Sequence, residues 1–317
     1  MLIGGKREGR EIEIASCRYE SIVDDARAET NVIINFMQML PEGLRIQPFK
    51  GVTKSIRDMP GEEIKLGDEA IDRELYISAI DVPSAKWLLS FSKVKDVLKL
   101  MLEEHQTSYI TKRSVSLRRD GLDIKNFDEM IEKSLFISKV FDELLTAPWV
   151  YLSQKYQFDE LIISSLGLPR VEGVINDFPI RVAINQSKSI ELSIRIDLSQ
   201  ACSKDLEICG KQSTLEVQNP VEGYEELNNI VTIGMQSNSS TNAFRDLSLH
   251  DKIRSFFSRY PRSSIISSRL RLQINGRNDS MLEFLIHEAL GLAQTLREAY
   301  KTPATLEDTE ENPFREV

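Results

Sequence analysis

Histidine and cysteine are scarce in this chain, three of each among 317 residues. Cys17, Cys202 and Cys209 form no CxxC pair. An odd number makes no complete disulfide framework, so free thiols in a reducing compartment are expected. His105, His250 and His287 have no Cys or His at metal-ligand spacing, and His287-Glu288 lacks the second histidine of HExxH. Neither a metal nor a cofactor is expected. Unbroken apolar runs are also missing: none approaches the roughly 18 residues of a membrane span. Met1 to Glu8 lacks the apolar core of a signal peptide. A cytoplasmic protein is the expectation. Positive charge is in deficit as well. A net charge of −9 works against general binding to nucleic acid or to anionic membranes, which both call for a basic surface.

Catalytic signatures are equally thin. Gly4-Gly5-Lys6 is followed by Arg7, where a phosphate loop needs Ser or Thr for magnesium. Ser92-x-x-Lys95 has none of its companion motifs, and there is no GxSxG elbow. Acid pairs such as Glu62-Glu63 and Glu103-Glu104 are neighbours in sequence, so they do not face each other across a substrate.

What the chain does contain is a repetition. Tyr109 to Gly121 and Ser264 to Gly276 share their apolar pattern at an offset of 155, with Ile110/Ile265, Val115/Leu270, Leu117/Leu272 and Gly121/Gly276 in register. The register holds upstream, through Val94/Leu249 and Leu98/Ile253, and downstream, through Met130/Leu285, Leu135/Leu290 and Phe141/Leu296. Helix, strand, turn glycine and second helix match in order without a gap, as two copies of one fold would.

The pattern of each copy predicts strands first and helices later, which favours antiparallel sheets over alternating βα units. Arg10–Tyr19, Asn31–Leu40 and Leu44–Phe49 read as strands, and the Gly67 turn is expected to feed another. Pro83–Glu104 reads as one helix, and Ile110–Ile124 as a hairpin turning at Asp120-Gly121. Residues 128–145 read as a second helix. The expected fold class is α+β: two tandem homologous units, each an antiparallel sheet of about four strands plus a hairpin with two helices. The boundaries fall at 1–146 for the first unit, 147–169 for a helical connector with Trp149 buried, 170–300 for the second unit and 301–317 for a disordered acidic tail.

Within the first copy, Gly67-Asp68-x-x-Ile71-Asp72-x-x-Leu75-x-Ile77-x-x-Ile80-Asp81, followed by an apolar helix and a hairpin, resembles an uncharacterised bacterial family. The resemblance covers about half of each unit, and the second copy departs from it at Gly223–Asn229. It implies architecture and carries no activity.

Two groups of residues stand out for function. Arg118, Arg119, Arg269 and Arg271 lie on the two hairpins, where they suit a binding face for an acidic partner or a charged edge guarded against aggregation. Asp68, Asp72 and Asp81 surround Gly67, where they suit helix caps and turn closure. The leading expectation is a non-catalytic protein-interaction or scaffold protein, its partner a protein. The alternative is an enzyme or small-ligand-binding protein with a site between the repeats, using carboxylates near Gly67.

Overall fold

Two antiparallel sheets of eight strands each define an α+β architecture. The structure, a computed structural model, describes residues 2–19, 27–52, 54–104, 108–120, 127–186, 189–217, 220, 224–235, 244 and 247–301. His105, Gly121 and the acidic segment 302–317 lie outside the described residues.

The first sheet holds β1 (Leu2–Arg7), β2 (Arg10–Tyr19), β3 (Arg27–Asn35), β4 (Arg45–Pro48), β5 (Glu62–Glu63), β6 (Leu75–Ala79), β7 (Tyr109–Thr111) and β8 (Ser114–Asp120). Their spatial order is β1-β2-β3-β8-β7-β4-β6-β5. Among and after them come α1 (Lys54–Arg57), α2 (Glu69–Glu74), α3 (Val82–Leu89), α4 (Ser92–Glu104) and α5 (Phe127–Tyr156).

The second sheet holds β9 (Ile162–Ile163), β10 (Pro169–Ile175), β11 (Phe178–Gln186), β12 (Ile190–Asp197), β13 (Glu207–Gly210), β14 (Val231–Gly234), β15 (Ser264–Ile266) and β16 (Arg269–Asn275). Its order is β14-β13-β15-β16-β12-β11-β10-β9. Among the described residues, the α-helices of this part of the chain are α6 (Glu225–Asn228), α7 (Leu247–Arg259) and α8 (Leu282–Lys301).

Set side by side, β1-β2-β3-β8-β7-β4-β6 and β10-β11-β12-β16-β15-β13-β14 are one seven-strand order written twice. The later elements keep the spacing too. The starts of α4, β7, β8 and α5 at 92, 109, 114 and 127 are followed 155 residues on by those of α7, β15, β16 and α8 at 247, 264, 269 and 282.

The chain divides into two compact units. Met1–Val174, Arg181–Ser193 and Ile274–Glu283 form the first; Ile175–Ile180, Ile194–Gln273 and Phe284–Val317 form the second. The core of the first follows strand alternation: Val32 and Ile34 of β3, and Val115 and Leu117 of β8, face Leu98 of α4 and Leu135, Phe141 and Leu145 of α5. In the second, Leu249, Ile253 and Phe257 of α7 and Leu285, Ala289 and Leu296 of α8 are buried together with Ile265, Leu270 and Leu272 of the hairpin.

Several expected elements are redrawn. The helix expected over 83–104 is two helices: Ser90 hands both its N–H and its hydroxyl to the Trp87 carbonyl (3.1 and 2.6 Å), and a new helix starts beyond Phe91. The second helix runs on into the expected connector as one 30-residue helix, α5, through position 146 and Pro148, and ends at Tyr156; the rest of the connector is not helical and contains β9. The hairpin turns at Lys112-Arg113, not at Asp120-Gly121. Thr111 Oγ1 accepts from the N–H groups of Arg113 and Ser114 at 3.3 Å each and closes that turn locally. A short helix, α2, stands between the Gly67 turn and its strand. Each sheet has eight strands instead of the expected six because β1 and β5 join the first and β9 and β10 the second, with β1, β5 and β9 at sheet edges.

Candidate functional site

The three acids near Gly67 are bound to backbone. Asp72 accepts from the N–H of Leu66 and of Gly67, both at 2.8 Å, and so holds the Gly67 turn, whose φ of +69° favours glycine. Asp68 caps α2 by accepting from Ile71 N–H at 3.3 Å and pairs with Lys99 at 3.0 Å. The Lys99 hydrogen bond, with help from Ile71, lowers its carboxyl below the ordinary aspartate value. Asp81 caps α3 through Ser84 N–H at 3.3 Å and takes a second bond from Arg277 N–H at 2.9 Å. These carboxylates organise turns and helix starts.

The arginines divide differently. Arg118 and Arg119 are consecutive on β8 and point to opposite faces. Arg118 lies over the Tyr109 ring, 4.9 Å from its centroid, and 3.7 Å from Glu29, whereas Arg119 is exposed. Arg269 and Arg271 share one face of β16, opposite Ile266 and Ser264; the first is exposed and the second half-buried.

The densest polar constellation involves other residues, all in the first unit. Arg10, at the start of β2, is 7% exposed and gives Nη2–H to Asp142 Oδ2 at 2.9 Å. Asp142, on α5, also accepts from the backbone N–H of Met37 (3.1 Å) and Gln38 (3.0 Å). Burial raises its carboxyl above the ordinary aspartate value, against the pull of those two N–H groups and of Arg10. The Gln38 amide N–H₂ donates to Thr146 Oγ1, and its carbonyl accepts from Arg277 Nη2 at 3.0 Å.

Arg277 is wholly buried. It gives Nε to Asp279 Oδ2 at 2.7 Å and Nη1 to the Met39 carbonyl. Trp149 is buried as expected and donates its indole N–H to Asp279 Oδ1 at 2.7 Å. Two buried ion pairs are thus linked through one glutamine. This network ties the late segment Ile274–Glu283 into the first unit. Gly276 makes the approach possible: its φ is +82°, and a Cβ there would run into the Asp81 carboxylate.

Two cavities share Arg10 and Met37 in their linings. One, of about 420 Å³, is lined by Lys6, Arg10, Glu11, Met37, Arg113 and the 163–167 segment. The other, a groove of about 620 Å³, is lined by Arg10, Met37, Asp142, Ala147, Val150 and Tyr151 among others. Sequence reasoning passed over this region. The signal available was Asp142 itself, an acid inside the apolar stripe of Val140, Phe141 and Leu145.

Among the described residues no group of three or more His, Cys, Asp or Glu could hold a metal ion, and no helix is long and apolar enough to cross a membrane. Cys202 and Cys209 are free and buried; burial pushes the Cys202 thiol up to about 12 and raises Cys209 as well. Set against protein-family models, curated proteins and solved structures, the chain matches none of them.

Proposed function

We propose that this is a non-catalytic protein-interaction protein built by duplication of one sheet-and-helix plan, with its binding surface on the outer flank of α5 in the first unit. The shared seven-strand order and the constant 155-residue spacing support duplication. The observation that carries the binding surface is the groove beside α5. There Met37 is 47% exposed, Val150 37% and Tyr151 51%, with Lys139, Glu143 and Gln154 around them. Large apolar side chains gathered in a groove and rimmed by polar ones are the usual make-up of a protein-binding patch.

The occupant we favour is a segment of a partner protein that places one apolar side chain between Met37 and Val150. A photo-crosslinking residue at Val150, compared with one at the exposed Leu247 of the second unit, tests this in the native cell. One discrete adduct from Val150, weakened by Tyr151→Arg and absent from Leu247, is the expected result. Equal labelling from both positions would reject the surface. The enzymatic alternative needs a carboxylate free to act on substrate, and the described geometry commits Asp68, Asp72 and Asp81 to backbone N–H groups.

A further inference from the structure

We infer that the cavity beside Arg10 binds a small organic anion, a carboxylate or phosphate joined to an apolar body. The inference concerns a different cavity from the α5 groove and stands without the protein-interaction reading. The volume of about 420 Å³ falls within the range of small-molecule sites. Lys6, Arg10 and Arg113 line it, against the single carboxylate of Glu11. Counting Arg10 as neutralised by Asp142 still leaves two cations to one acid, in a chain whose net charge is −9.

Arg10 supplies the specific donor. It is 93% buried, given its exposure of 7%, yet only Nη2 has a described bond, to Asp142, and Nε has no partner. A guanidinium carries five N–H donors in a planar fork. An oxyanion in the cavity is held by the charge of the lining guanidinium and cations through charge-assisted bonds. Met39 and Leu166 offer apolar surface in the same cavity. At the matching strand start in the second unit stands Phe178, its ring covered by the Arg297 guanidinium at 4.6 Å. A buried arginine that lines a cavity at this strand start therefore sets the first unit apart.

Calorimetric titration of the full chain with hexanoate, hexyl phosphate and uncharged hexanol tests the site and separates the two head groups. At least one anion is expected to bind roughly tenfold or more tightly than hexanol, and the tighter of the two identifies the head group. Lys6→Glu combined with Arg113→Glu, both at exposed positions, should weaken that anion by roughly tenfold or more while the melting temperature holds. Arg10→Lys keeps a cation facing Asp142 but loses the fork, and should weaken it too. Hexanol binding as tightly as both anions, no anion bound at about 10 mM, or an unchanged affinity in the doubly substituted protein would overturn the inference.

Discussion

Arg10 begins β2 and Phe178 begins β11, and each follows a two-residue turn with positive φ at both positions, Glu8-Gly9 (51° and 77°) and Asn176-Asp177 (52° and 68°). Such turns suit the twist of the strands they join. Asp142 and Arg297 stand equally far into α5 and α8, 155 residues apart. In the first unit the hairpin meets its helix through a buried ion pair, Arg10–Asp142, with Glu8 on Lys139 at 2.6 Å beside it. In the second, the helix carries the cation: Arg297 lies over Phe178, donates to the Asn176 carbonyl at 3.3 Å and stands 3.9 Å from Asp177. One contact is therefore made with two chemistries. The second is self-contained, because an aromatic face and a partly hydrated guanidinium leave little unsatisfied. The first needs a network, because a buried carboxylate and a buried guanidinium each call for more partners than one.

The largest test of this difference is to break the network. Asp142→Ala leaves Arg10 buried without its counter-ion and orphans the Met37 and Gln38 N–H groups. The expected loss is about 3–5 kcal/mol, the range for removing one partner of a buried pair. Arg277→Met should cost a similar amount, since Asp279 would then keep only the indole N–H of Trp149 among its described side-chain partners. Urea unfolding followed by Trp149 fluorescence reads both. If Asp142→Ala costs less than 1 kcal/mol, the pair is no more demanding than its aromatic counterpart and the comparison fails.

Next in size is the glycine that admits the Arg277 segment. Gly276→Ala meets both a left-handed backbone and the Asp81 carboxylate, whereas Gly67→Ala meets the backbone penalty alone, with open space around its Cβ. A cost of about 1 kcal/mol is expected at Gly67 from conformation. At Gly276 the cost should exceed about 2 kcal/mol, because steric displacement of a capping acid is added. Equal losses in thermal unfolding would mean that the segment yields and that Asp81 does not fix it.

How much of this was legible in the sequence depends on the reach of each interaction. Core positions such as Val115, Leu117, Leu135 and Phe141 are legible because strand and helix periods act within a few residues. The hairpin turn was misplaced because Asp120-Gly121 is a strong turn dipeptide, while the hydroxyl of Thr111 closes a turn that carries no glycine. The boundary expected at residue 146 does not interrupt α5, whose buried face continues through Trp149 and Leu152 beyond Pro148. The network was hidden for another reason. Arg10 lies 132 residues from Asp142, and Gln38 lies 239 from Arg277, so no local pattern pairs them. For the arginines and turn acids, residue type was readable but surroundings were not.

A titration separates burial from pairing as the dominant influence on Asp142. Burial raises its folded pKa above the unfolded value, near 3.8. Over the window from about 3.8 up to the raised folded value the unfolded chain binds fewer protons than the folded one, so this group's contribution to stability falls as pH rises. It is fully present below the unfolded pKa and lost once pH passes the folded one. Asp142→Asn removes that loss, so the variant's deficit against the wild type should shrink as pH rises through the window. A deficit that instead grows with pH would make the Arg10 ion pair the stronger influence.

The smallest effect belongs to the second unit. Arg297→Ala removes one cation–π contact and one bond to a carbonyl, with its charged neighbour Asp177 89% exposed. An expected loss of about 0.5–1 kcal/mol follows from such contacts. Its aromatic part is independent of pH, since Phe178 does not titrate. The informative variant is the exchange: Arg10→Phe with Asp142→Arg places the second unit's pair on the first unit's hairpin. It recovers a guanidinium over an aromatic ring but leaves the Met37 and Gln38 N–H groups without their acceptor. Chemical denaturation should therefore place the doubly substituted protein between Asp142→Ala and the wild type. Full recovery would show that the ring and guanidinium suffice in either unit and that the two N–H groups find other partners. Recovery no better than Asp142→Ala would show that the contact cannot be exchanged without the loop Phe36–Met39 that each carboxylate bond holds in place.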